Sequence, residues 1–208
     1  MILTSTTERV RFTPPWREGQ PDAPVFLLRA GSVQERGMLE AELAGQYRAG
    51  RIWQMELQST IRDGISALLA DDPEIDHILS LFEEEDETKL SDPDRQQRQS
   101  ILNVLAEHWQ PYRDLLAQLA RRREMAPIVA LRRFLVGFEN MPCQFSRGPD
   151  GLVSDATLAA IEPLDLIVAG NFAYGLLYGG GMERFLEQPS ASGDAPTTSS
   201  TDTAKVDG

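Results

Sequence analysis

Residues 100–140 read SILNVLAEHWQPYRDLLAQLARRREMAPIVALRRFLVGFEN, and the rest of the chain is organised around this stretch. In its first half Ile101, Val104, Leu105, His108, Tyr112, Leu115, Leu116 and Leu119 recur mostly at steps of three and four, which is one face of a long helix. In its second half apolar residues fall on nearly every side, which predicts a helix enclosed by its neighbours. Pro111, within HWQPY, removes one helical hydrogen bond and crowds the preceding turn, so a break is expected between Glu107 and Trp109. Arg121, Arg122 and Arg123 are expected at a helix C-terminus, where cations complement the helix dipole, or as an anchor for an acidic partner or for the chain's own acidic loop. Arg132 and Arg133 lie a few residues on.

Outward from there, the sequence predicts a mainly α fold: an irregular multi-helix bundle with a small N-terminal β-ribbon and a disordered C-terminal tail. Residues 1–31 form the ribbon, from strand-like runs at Val10 to Phe12 and Val25 to Leu28 joined by a Pro- and Gly-rich loop. Residues 32–187 form the helical body. Ser32 and Glu35 have the capping-box spacing that opens a helix whose stripe is Leu39, Leu43 and Tyr47 and whose stop is Gly50. The next helix, from Arg51 to Leu69, carries Trp53, Leu57, Ile61, Ile65 and Leu68 on one face, and Gly64 there permits close packing. A third starts at Asp72 and Pro73 and buries Ile75, Ile78, Leu79 and Phe82, and the long fourth starts near Asp92 or Asp94.

After Asn140 a hairpin or extended excursion around RGPDG is expected. Ser154 then caps a short helix, Pro163 starts another that ends at Gly179 to Gly181, and a last amphipathic turn, MERFLE, follows. Residues 188–208, rich in Ser, Thr, Pro and Asp, carry too little apolar surface to offset the entropy of ordering.

Composition restricts function. The formal net charge is −12, which repels a phosphate backbone and argues against a nucleic-acid partner. A single cysteine, Cys143, precludes an internal disulfide and reads as a buried structural thiol. No signal-peptide pattern and no membrane-length apolar run is expected. Carboxylates at Glu83 to Glu87 read as a solvated acidic run, because no turn glycine folds them around a cation. Asp71, Asp72, Asp76 and His77 have ligand-type side chains, but Asp71 and Asp72 read more simply as helix N-terminal charges, and His108 reads as a core or boundary histidine with no positioned catalytic partner. GxSxG, SxxK, HExxH and CxxC do not occur. No catalytic, metal or cofactor residue is therefore assigned. Candidate partner-binding residues are Trp16, Trp109, Tyr112, Arg121, Arg122 and Arg123, with Trp53 a further groove aromatic.

Four segments together resemble the tail assembly chaperones encoded by tailed bacteriophages and prophages. They are VRFTPPWREGQPDAPVFLLRAGSVQERGMLEAEL (residues 10–43), GQYRAGRIW (45–53), LAEHWQPYRDLLAQLARRREMAPIVALRRFLVGFEN (105–140) and RGPDGLVSDATLAAI (147–161), over half of the span from Arg9 to Tyr178. The resemblance implies a non-enzymatic protein of the host bacterial cytoplasm. Such a protein holds the tape-measure protein while tail tube protein polymerises around it, with no cofactor, no membrane and a possible homo-oligomer. Alternatives are a minor structural tail or connector component of the virion and, more remotely, a small-molecule enzyme.

Overall fold

A computed structural model describes residues 8–84 and 86–178, without the side chain of Glu87. The expected stop at Gly179 to Gly181, the turn MERFLE and the tail 188–208 lie outside the described residues. In order come β1 (Arg9–Phe12), β2 (Val25–Arg29), α1 (Val33–Gly45), α2 (Gln54–Leu68), α3 (Ile75–Glu83), α4 (Asp92–His108), α5 (Gln110–Phe134), β3 (Leu135–Glu139), α6 (Asp155–Ala159) and α7 (Pro163–Leu176). The fold is mainly helical, as the sequence predicts.

The sheet is larger than the expected ribbon. Its order is β1-β2-β3, antiparallel throughout, with β2 in the centre. Residues 135–139, expected to continue a helix to Asn140, are instead β3. Gly137 is a poor helix former, Val136 is β-branched, and β2 would otherwise present an unpaired row of amides and carbonyls beside the core. Leu135, in extended conformation, ends α5 and begins the strand with no intervening loop. Phe26 and Leu28 of β2 are fully buried by this arrangement.

α5 is the beam of the molecule: 25 residues, roughly 37 Å at 1.5 Å per residue. The expected break falls at Trp109, in extended backbone, so that Pro111 occupies the first turn of α5, where its missing N–H costs nothing. A second proline, Pro127, lies inside α5 and is buried; it leaves the carbonyl of Arg123 without its helical donor. The helix nonetheless runs on to Phe134, so Arg121, Arg122 and Arg123 sit in mid-helix and not at the expected C-terminus.

Two hydrophobic cores meet along this beam. The first joins the sheet, α1, α6 and α7 to the last turns of α5, around Phe26, Leu39, Leu43, Val129, Leu131, Phe134 and Ala173. The second joins α2, α3 and α4 to the first turns of α5, around Ile61, Ile65, Ile78, Leu105 and Tyr112. Gly64 allows the close approach its position suggested. A Cβ there would lie 2.7 Å from Leu105 Cδ2 and 2.8 Å from Trp109 Cδ1. His108 is not on the buried stripe. Leu102, Leu105, Ala106 and Trp109 face the core, which turns His108 to solvent, 3.7 Å from Glu107. Cys143 is half-buried rather than enclosed.

Local capping follows the sequence closely. Ser32 Oγ accepts from the Glu35 amide at 3.2 Å, and the Glu35 carboxylate accepts from the Ser32 amide at 2.9 Å. Ser154 Oγ caps α6 by accepting from the Thr157 amide at 3.2 Å. Gly50 does not stop α1, which ends at Gly45; the left-handed residue beyond it is Arg48, φ 50°. α3 starts at Ile75, after a turn in which Asp72 accepts from the Glu74 amide at 2.8 Å. The RGPDG hairpin is reduced to one bridge, Arg147 with Val153.

The Glu35 cap carries a pH signature. The Arg29 guanidinium, bonded at 2.5 and 3.0 Å, holds the Glu35 carboxyl down at about 2, against burial that pushes it up. A depressed carboxylate stabilises the fold above its unfolded value of 4.5 and loses that contribution as the pH falls towards 2. Between pH 5 and 2, Tm of the wild-type chain is therefore expected to fall more steeply than that of Glu35→Gln. Parallel acid limbs in calorimetry would contradict this.

Candidate partner-binding groove

The middle of α5 carries a polar face at spacing i, i+3, i+4. Gln118 Nε2 donates to the Gly50 carbonyl at 3.1 Å, Arg121 Nε to that of Arg48 at 3.2 Å and Arg122 to that of Ala49 at 3.0 Å. These three side chains strap the α1–α2 connection across the beam, between the two cores. Arg122 also grips both oxygens of Glu40 at 2.7 and 2.8 Å and donates to Tyr174 at 2.8 Å; Tyr178 donates to the same carboxylate. Burial raises the cost of the Glu40 charge, yet the bonds from Arg122 and Tyr178 outweigh it and keep its carboxyl below the ordinary range. Tyr178 is pushed well up, by burial first and by Glu40 second.

The strap sets up a groove beside it. A cavity of about 580 Å³ lies between α2 and α3, bounded also by α4 and α5. Its apolar lining includes Trp53, Leu57, Ile61, Leu79, Phe82 and Leu119, and Arg62, Glu83, Glu84 and Arg98 are among the charged residues around it. The volume lies within the usual span for ligand pockets. Trp53 is 63% exposed and Leu119 38% exposed, and both line the groove. Trp53 stands at the N-cap of α2 in extended conformation and supplies no capping bond. The Arg51 guanidinium lies over its ring at 5.5 Å.

The sequence-derived candidates divide on this geometry. Tyr112 is buried in the second core, with its hydroxyl shifted upward by burial, and offers no face to a partner. Trp109 is half-buried in the same core. Trp16 is 41% exposed, but its indole N–H donates at 2.9 Å to Asp165, a buried carboxylate that Arg17 also meets at 3.3 Å. It thus pins the N-terminal loop to the first turn of α7. Arg122 is held within the chain, Arg121 serves the strap, and Arg123 is exposed. Trp53, Leu57, Leu79, Phe82 and Leu119 were legible as helix-face residues, but nothing in their spacing marks a cleft left open between the faces. Among the described residues no three His, Cys, Asp or Glu side chains gather into a metal-binding group, and no helix is long and apolar enough to cross a membrane.

Trp53→Asp is an informative substitution here. It supplies the missing N-cap acceptor, worth about 1 kcal/mol, and gives up an exposed cation–π contact worth about 0.5–1 kcal/mol. Tm is expected to stay within about 3 °C of wild type; a much larger loss in thermal denaturation would show that Trp53 is a core residue.

No family model, curated protein or solved structure matches the chain.

Proposed function

We propose that this protein is a non-enzymatic assembly factor of the phage tail chaperone type, acting in the host bacterial cytoplasm by holding an amphipathic helix of the tape-measure protein until tail tube protein encloses it. The observation that carries the proposal is the groove at Trp53. An open cleft between helices, lined by apolar side chains together with glutamines and charges of both signs, suits an amphipathic helix. The acidic composition keeps such an apolar holder soluble. The sequence resemblance supplies the partner's identity.

Co-expression with the tape-measure protein tests it. That protein is expected in the soluble fraction, and to co-purify, only when this chain is present. Unchanged recovery would overturn the proposal. Stoichiometric copies of the chain in purified virions would instead make it a structural tail or connector component.

A further inference from the structure

The two ends of the groove differ in charge. At the far end the charges are matched: Arg62 meets Glu83 at 3.4 Å, Lys89 meets Glu84 at 3.2 Å, and the Arg98 guanidinium lies over the Phe82 ring. At the Trp53 end they are not. Arg48 and Arg51 are exposed on the α1–α2 connection, and Arg121 is strapped to that connection through its Nε. The Arg51 guanidinium lies over the Trp53 ring, and Arg36 and Arg51 both lie over the Tyr178 ring, at 5.4 and 5.5 Å. Glu40, which acts on Arg51 through space, is already held on both oxygens by Arg122. Among the described residues Arg36, Arg48, Arg51 and Arg121 form no ion pair with a carboxylate. A chain of net charge −12 thus keeps a local positive excess beside its apolar groove.

We propose that the groove selects amphipathic helices with an acidic end, and seats that end at Trp53 against Arg48, Arg51 and Arg121. The inference rests on the groove as a helix-docking site and adds which helices it accepts. Apolar residues of such a helix at i, i+3, i+4 and i+7 cover Trp53, Leu57 and Leu119. Glutamates or aspartates in its terminal turn meet guanidiniums that have no ion pair to give up. A basic end would face the same arginines and be rejected by repulsion, so the sign of the charge acts as the selector. Acids elsewhere on the chain weigh little in this, because exposed charges beyond about 8 Å are largely screened at physiological salt. A nucleic-acid strand could meet the arginines, but it would leave the apolar lining uncovered and be repelled by the acidic remainder of the surface.

The test is fluorescence anisotropy with the full chain and two labelled helical peptides of identical apolar face, one ending in a turn of glutamates and the other in lysines at the same positions. The glutamate peptide is expected to bind at least tenfold more tightly, with a gap that shrinks as salt is raised. Arg48→Gln combined with Arg51→Gln should narrow the gap at least threefold at unchanged Tm, since both side chains are exposed. Equal affinities, a preference for lysine, or a gap indifferent to the double substitution would each overturn the proposal. Equal affinities that fall together in Trp53→Ala would leave the groove as a helix site without charge selection, whereas no binding of either peptide would remove the helix site as well. Displacement of the glutamate peptide by a DNA oligonucleotide would overturn the proposal in favour of a nucleic-acid surface.

Discussion

Gly170→Ala is expected to lower stability by about 3 kcal/mol, a fall in Tm of about 6–12 °C in a chain of this length. Gly170 lies where α7 crosses α5. A Cβ built there would sit 2.6 Å from the carbonyl carbon of Pro127, 2.8 Å from its Cβ, and closer still to its oxygen. Backbone atoms cannot turn aside as a side chain can, so the helices must separate, and the first core opens with them. The crossing itself depends on residues of small or fixed shape, with Ala169 and Ala173 fully buried beside it on α7. The contrast is Gly37→Ala on α1, where a Cβ meets nothing within 4 Å. There the same substitution is expected to stabilise by about 0.5–1 kcal/mol through helix propensity. Equal effects at the two positions in thermal denaturation would contradict the packing given for α5 and α7.

Arg122→Met is expected to cost about 2–4 kcal/mol, because it leaves the partly buried Glu40 carboxylate without the cation bonded to it, with Arg51 acting on it only through space. The Ala49 carbonyl loses its donor as well. The cost is mainly that of the orphaned charge, so Arg122→Met with Glu40→Leu should recover more than half of it. A double-mutant cycle should return a coupling energy above about 1 kcal/mol. Amide exchange at residues 46–53 should quicken in both variants, since both release the strap. Additive effects would mean that Arg122 and Glu40 do not act as a pair. The result also separates two roles for the arginine cluster: charge reversal at Arg122 injures the fold itself, whereas Arg123 can be reversed with little effect on stability.

What the sequence made legible was mostly local. Ser32 with Glu35, Ser154, Pro163 and the break at Trp109 each follow from chemistry within a few residues, and each stands as predicted. β3 could not be read that way. LVGFE carries only the weak local bars of Val136 and Gly137 to extending a helix; it is a strand because the far edge of β2, more than a hundred residues earlier, requires a partner. The Arg122–Glu40 pair spans 82 positions, so the arginine run could be seen while its partner could not. Helix periodicity likewise identified the faces of α2, α3 and α5, but a face is closed or left open only by where other helices stop. Trp53 shows the difference: four residues before Leu57 on the stripe, it stands just outside α2 and at the mouth of the groove.

The most direct test of the groove's role is recovery of soluble tape-measure protein on co-expression with wild-type chain and with Trp53→Asp. The expected result is soluble partner with the wild type and at least a fivefold loss with the variant, although the variant itself stays folded with Tm within about 3 °C. Equal recovery with both chains, at equal chain levels, would contradict the assignment of this groove as the docking site.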